Sequence, residues 1–162
     1  MIKESKMMRG KTITKEQAFQ KLKHYCAYQE RCHKEVKEKL YSFGLYKRDV
    51  DELISRLIEE NYLNEERFAC QFAGGKFRMK QWGKVKIEHE LKQKQISAYC
   101  IKKGLREIPD DDYHQTLQRI ATKKFETLKE ETTYIQRGKL TEYLLMKGYE
   151  RELVNAVVKT LI

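Results

Sequence analysis

The residue types that most often carry chemistry are few here and scattered. The chain of 162 residues has four His and four Cys. His24, His33, His89 and His114 sit among Lys and Glu at helical spacing, where an imidazole is ordinarily a solvated surface group and not a general base. Cys26, Cys32, Cys70 and Cys100 lack CxxC pairing and read as reduced thiols. His24, Cys26, Cys32 and His33 bring metal-ligand types close together in sequence, but their spacing is not that of a zinc finger. The phosphate-cradling GxxxxGK[ST], the dinucleotide GxGxxG, and the hydrolytic HExxH and GxSxG patterns are absent. Carboxylates stand beside lysines, as Glu35 with Lys39 and Glu38 with Lys37. Exposed pairs of that kind contribute about 0.3–0.5 kcal/mol and imply no reaction. These residues lead us to expect a binding protein, not an enzyme, with no catalytic residues, no metal ligands and no cofactor.

Charge gives the binding function a direction. Lys and Arg number 34 against 24 Asp and Glu, a net charge of +10. Such a surface attracts polyanions: nucleic acid, an anionic membrane or an acidic protein face. The densest stretch runs through Lys76, Arg78, Lys80, Lys84, Lys86, Lys92 and Lys94, opposed only by Glu88 and Glu90. Trp82, the one tryptophan, stands in its middle beside Gly83. Cations flanking an exposed ring suit a phosphate backbone with a stacked base. The competing reading is that Trp82 plugs a junction between helices while the lysines face solvent. The candidate contact residues are Lys76, Arg78, Lys80, Trp82, Lys84, Lys86 and, from a second basic group with Lys123, Lys124, Arg137 and Lys147, Lys139. A third group holds Lys34, Lys37 and Lys39.

The elements that must carry these residues are helices. One proline, few glycines and apolar residues at three- and four-residue spacing predict an all-α chain. One pattern occurs three times. Val36, Leu40, Gly44 and Leu45 are matched by Ile87, Leu91, Gln95 and Ile96, and again by Leu140, Leu144, Gly148 and Tyr149, at steps of 51 and 53 residues. Downstream, Val50, Ile54 and Leu57 are matched by Ile101, Leu105 and Ile108 and by Val154, Val158 and Leu161. Upstream, Ala18, Ala69 and Ala121 are each expected to open a helix, with Leu22, Ala73 and Phe125 one turn later. Each unit therefore reads as three helices, and units this small must stack to bury a core.

The expected architecture is three tandem three-helix, helix-turn-helix-like repeats in an elongated, curved array. A basic arm over 1–13 precedes repeats over 14–63, 64–108 and 109–162. Local signals mark the ends. Thr14 with Gln17 has capping-box spacing, Asn64 precedes Glu65 and Glu66, and Ser97 can cap a helix. Pro109 before Asp110, Asp111 and Asp112 ends one helix and starts the next. Gly44 and Gly148 suit left-handed turns, whereas Gln95 at the matching place predicts a longer or differently shaped turn. The polar, basic start of the chain is no signal peptide, and no run approaches the ~18 apolar residues that span a bilayer. The expectation is a cytoplasmic monomer without membrane contact.

At this point the residues are similar to a known family. Asn61-Tyr62-Leu63-Asn64-Glu65-Glu66-Arg67-Phe68-Ala69 resembles the G-L-[ND]-[DE]-E-R-F-A signature of the RecX family, regulators of bacterial RecA recombinase. Gly83-Lys84 with Ile87, Glu90, Leu91 and Ile96 resembles its G-x-x-x-I-x-x-E-L-x-x-x-G-I pattern. Lys139, Leu140, Tyr143, Leu144 and Gly148-Tyr149 resemble its closing K-x-x-x-Y-L-x-x-x-G-[FY]. Asn61 and Gln95 replace glycines of the pattern, and Cys32 stands near a place where serine is common. The resemblance implies three three-helix repeats. It also implies a protein that binds RecA, lodges in the groove of the RecA–DNA filament, and inhibits ATP hydrolysis, filament extension and strand exchange. That would modulate recombinational repair and the SOS response. Weak direct binding to single- or double-stranded DNA accompanies this reading. The alternative is a basic helical-repeat protein that binds nucleic acid independently of RecA.

Overall fold

The structure is a computed structural model describing residues 13–162, so the expected basic arm lies, except for Ile13, outside the described residues. Among the described residues there are nine α-helices and no strand. Their contacts gather the described residues into two compact units, 13–68 and 69–162.

The first unit holds α1 (Lys15–Tyr28), α2 (His33–Ser42) and α3 (Lys47–Glu59). Thr14 caps α1 in a capping box, its hydroxyl accepting from the Gln17 N–H at 3.1 Å while Gln17 Oε1 accepts from the Thr14 N–H at 3.0 Å. Cys32 is the N-cap of α2, with Glu35 Oε2 accepting from its N–H at 3.2 Å. The predicted apolar faces meet: Ala18, Phe19 and Leu22 of α1, Val36 and Leu40 of α2, and Val50, Leu53 and Leu57 of α3 form one buried core. Ile13 and Ile54 are partly buried against it. Asn61 ends α3 in the left-handed region at φ 62°, which asparagine tolerates better than most residues. Arg67 reinforces that turn. It donates to the Asn61 carbonyl oxygen at 3.0 Å and to Asn61 Oδ1 at 3.1 Å, and its Nε binds the Glu30 carboxylate. The signature arginine is thus a clasp on the turn.

α4 (Glu65–Lys80) starts in the first unit and continues into the second, capped by Asn64 Oδ1, which accepts from the Arg67 N–H at 2.8 Å. The second unit adds α5 (Lys84–Gln93), α6 (Ala98–Arg106), α7 (Asp110–Glu126), α8 (Thr133–Met146) and α9 (Arg151–Leu161). Ser97 caps α6, and Pro109 is the N-cap of α7. Ile87, Leu91, Ile101, Ile108, Leu140, Leu144, Val154 and Val158 are all buried, as the repeat frame requires.

Three details depart from the sequence reading. Gln95 does not lengthen its turn. It takes φ 62°, and the same pair of hydrogen bonds closes the second and third turns: Gln95 N–H to the Lys92 carbonyl and Ile96 N–H to that of Leu91 here, Gly148 N–H to that of Leu145 and Tyr149 N–H to that of Leu144 in the third; in the first, the Gly44 N–H donates to the Tyr41 carbonyl. Backbone geometry common to the repeats overrides the side chain's preference. Ala121 does not open its helix, because α7 starts at Asp110 and Ala121 lies well along it. Phe125, one turn on, is only half-buried. And the histidines are not all surface groups: His24, His89 and His114 are exposed, but the Nε2 of His33 is buried.

Backbone joins the second and third repeats inside this unit. The Gly83 N–H donates to the Lys147 carbonyl at 2.8 Å, and the Val85 N–H to that of Gly148 at 2.9 Å. The first donors of α5, which no residue of their own helix can satisfy, are thereby capped by the α8–α9 turn. Tyr113 completes the seam. Its hydroxyl accepts from the Lys84 N–H at 2.9 Å and donates to Glu150 Oε2 at 2.7 Å. The Tyr149 hydroxyl donates to the Gln81 carbonyl at 3.0 Å.

Candidate polyanion-binding site

Trp82 reaches its place through a local backbone event. Gln81 adopts the left-handed region at φ 52° just after α4. The chain turns sharply, and Trp82 folds back over the helix it has left. Its half-buried ring meets Phe72 edge-on, centroids 6.4 Å apart. Lys76 Nζ lies 5.0 Å and Lys86 Nζ 4.5 Å from the Trp82 ring centroid. Lys76 also lies 5.5 Å from the Phe72 ring and Lys94 5.8 Å from it. Both sequence readings of Trp82 therefore hold a part: it packs at a helix junction, and it does so with ammonium groups on its ring.

The seven candidate residues are not one patch. Phe72, Lys76 and Lys80 recur every four positions and share a face of α4. Arg78 lies about 200° around the helix from Lys76. Its guanidinium folds back over Gly74, reaching within 2.7 Å of where a Cβ would stand there. Lys84 turns to the seam, with Nζ 3.5 Å from Asp110 Oδ1 and 4.7 Å from the Tyr113 ring centroid. Lys139 pairs with Glu131 at 2.8 Å on α8. Lys76, Arg78, Lys80 and Lys86 stand outside the ion pairs of the described residues. Ammonium over an aromatic face gains about 0.5–1 kcal/mol at an exposed site. That holds Lys76 and Lys86 together without neutralising them, so both can take a phosphate or carboxylate oxygen.

Spacing in the sequence held a signal that the charge count missed. At four pairs of positions 51 residues apart, cation and aromatic exchange: Lys21 with Phe72, Tyr25 with Lys76, Arg31 with Trp82, and Phe43 with Lys94. The first repeat accordingly has its own cluster. The Arg31 guanidinium carbon lies 3.7 Å from the Tyr25 ring centroid, and Lys39 Nζ lies 5.8 Å from that ring and 5.7 Å from Phe43. In the third repeat, Lys124 and Lys147 lie 5.1 and 5.9 Å from the Tyr143 ring. Each repeat carries cations on a ring, at the junction between its first and second helix in the first two and on the last turn of α8 in the third.

Among the described residues no group of three or more His, Cys, Asp or Glu is placed to hold a metal ion, and no helix is long and apolar enough to cross a membrane. The four cysteines are free thiols. Cys26 is buried, and burial pushes its thiol up to about 11.

Comparison with known proteins places the chain in a family. The family model for the second three-helix domain of RecX matches residues 64–105, and that for the third matches residues 110–158. The chain belongs to the RecX family. The regulatory protein RecX of Clostridium perfringens (strain 13 / Type A) is 32% identical over 130 residues, covering 79% of this chain and 60% of the relative. That of Oceanobacillus iheyensis is 22% identical over 136 residues, covering 84% of this chain and 50% of the relative. The chain thus spans half to three-fifths of the length of these curated RecX relatives. The crystal structure of RecX from Lactobacillus salivarius superposes with a TM-score of 0.81 at 21% identity, covering 91% of this chain and 96% of that one. A second RecX crystal structure gives 0.80 at 17% identity, covering 90% and 71%. At such identities the superpositions establish the fold.

Proposed function

We propose that this chain is a regulator of RecA: it binds RecA and the RecA–DNA filament and inhibits ATP hydrolysis, filament extension and strand exchange, acting in the cytoplasm as a monomer. Membership of the RecX family carries this reading. The physical chemistry supports it. Three repeats, each with cations held on a ring, offer many weak contacts to a partner that itself repeats. Inhibition then needs no reaction. A protein that binds one filament state better than another shifts the equilibrium by that difference in affinity. Lys76, Lys80, Trp82 and Lys86 are the first contacts to test, then Arg78, Lys84 and Lys139, two of which already have carboxylate partners. The deciding experiment titrates the chain into cognate RecA hydrolysing ATP on single-stranded DNA. Hydrolysis and strand exchange should fall at stoichiometric amounts, and unchanged rates would reject the reading.

A second reading, direct binding of nucleic acid without RecA, is favoured by one observation: Trp82 carries Lys76 and Lys86 on its ring. It predicts affinity for bare DNA that falls steeply with salt. Absence of binding at physiological salt would remove it.

A further inference from the structure

The second half of α7 lines a basic hollow whose charge the fold does not neutralise. It measures about 410 Å³ and lies wholly within the second unit. Arg119 and Lys123, one turn apart on α7, line it together with Ile120 and Lys124 on the neighbouring row. Ile120 is buried and Lys124 half-buried. Tyr143 of α8 and Gln81, at the left-handed bend after α4, complete the lining. Lys124 Nζ and Lys147 Nζ lie 5.1 and 5.9 Å from the Tyr143 ring centroid, so Lys147 joins the group at that ring. The Lys147 Nζ also donates to the Lys80 carbonyl at 3.1 Å, which holds it there. Four cations thus gather, and no carboxylate lines the hollow. None of the four belongs to an ion pair of the described residues. The surrounding carboxylates are engaged elsewhere. Glu126 pairs with Lys129 at 3.3 Å and Glu131 with Lys139 at 2.8 Å. Glu150 Oε2 accepts from the Tyr113 hydroxyl at 2.7 Å, and Glu142 lines the Gly138 face of α8. Asp112, two turns before Arg119, lines a neighbouring hollow with Arg78 and Arg119 but pairs with neither. The negative end of the α7 dipole accounts for Lys123 and Lys124 in its last turn. It does not account for Arg119, a turn further back, or for Lys147 on another segment.

Like charges around one hollow repel, so an anion that neutralises them is favoured. Compactness selects which anion. A nucleic-acid strand spreads one charge per phosphate along an extended backbone. The linked phosphates of an oligophosphate concentrate their charges, as the hollow concentrates its cations. We infer that this hollow binds an oligophosphate, free or as the tail of a nucleoside triphosphate. Arg119, Lys123 and Lys124 donate to its oxygens, and Lys147 approaches from the Tyr143 ring. The planar fork of Arg119 can take two oxygens at once. The site uses none of Lys76, Trp82 and Lys86 and does not depend on RecA.

The test titrates tripolyphosphate into the whole chain at physiological salt, without divalent metal, and reads heat and melting temperature. Tripolyphosphate should bind at least about tenfold more tightly than orthophosphate. It should raise the melting temperature as its concentration passes the dissociation constant. Equal binding of the two would reduce the site to a diffuse positive surface and overturn the inference. Arg119→Gln with Lys123→Gln, at two exposed positions, should weaken tripolyphosphate binding about tenfold or more. Lys102→Gln with Lys103→Gln on α6 removes the same charge outside the hollow and should leave binding unchanged. Equal weakening by both pairs would also overturn it. Lys123→Gln alone serves if the first double variant does not fold, and should weaken binding in the same direction. ATP that binds as tightly as tripolyphosphate, with adenosine silent, makes the source a nucleoside triphosphate. Weaker binding of ATP makes it the free chain, and either result supports the hollow. A short oligothymidylate that binds more tightly at equal phosphate, and is lost in Arg119→Gln with Lys123→Gln, would make the occupant a strand and overturn the inference. RecA enters none of these measurements, so their failure leaves the proposed regulation of RecA standing.

Discussion

A Cβ on Gly83 would stand 2.2 Å from the carbonyl oxygen of Gly148, sixty-five positions later in the chain. The two glycines let the start of α5 and the turn after α8 approach backbone to backbone. Gly83→Ala should force them apart and weaken the Gly83–Lys147 and Val85–Gly148 hydrogen bonds together. A loss of about 1–3 kcal/mol is expected, the usual scale for overpacking. Urea unfolding measures it, and an unchanged midpoint would refute the close approach.

Gln95 offers the opposite change. A non-glycine residue at φ 62° carries a strain that glycine lacks. Gln95→Gly should stabilise the chain by about 0.5–1 kcal/mol, part of the gain being offset by the freer unfolded chain. A lower melting temperature would mean that the glutamine side chain contributes more than its backbone costs.

The seam predicts an alkaline limit. Burial first, then the neighbouring Glu150 charge, pushes the Tyr113 hydroxyl well above the ordinary tyrosine range, and burial does the same to Tyr149. Folded chains then hold these protons more tightly than unfolded ones. The resulting stability is fully present below the unfolded value near 10 and is lost as pH rises above it. Tyr113→Phe should lower stability at pH 8, where the hydrogen bonds to Lys84 and Glu150 are missing, yet flatten the decline above pH 10. Parallel curves for the two chains would exclude Tyr113 as a source of that decline.

Within the basic cluster, charge and packing separate. Lys76→Glu with Lys86→Glu should leave the circular dichroism spectrum unchanged while weakening filament binding, and should reduce the salt slope by roughly one per lost phosphate contact. Full binding by the folded double variant would move the contact elsewhere.

Core truncations should act through stability alone. Leu40→Ala, Leu91→Ala and Leu144→Ala each empty a position that is 0% exposed, and each should cost about 2–5 kcal/mol in chemical unfolding. Near-neutral effects would contradict the shared frame of the three repeats.

The sequence alone determined the helices, their caps and the buried face of each repeat. Thr14, Asn64 and Ser97 cap within three residues of themselves, and Val36, Leu40, Ile87, Leu91, Leu140 and Leu144 face inward by helical spacing. Both follow from the nearest turn of chain, and the family pattern rests on the same local signals. Tertiary structure decided the rest. Lys84 was read as part of the basic patch, yet it meets Asp110 and Tyr113. Trp82 was read without Phe72, which lies ten positions back on α4. Gln95 was read as altering a turn that the shared backbone geometry in fact preserves. Gly83 and Gly148 gave no hint of each other. An ion pair, a ring contact or a backbone approach depends on where two helices meet, and residue spacing within one helix does not contain that distance.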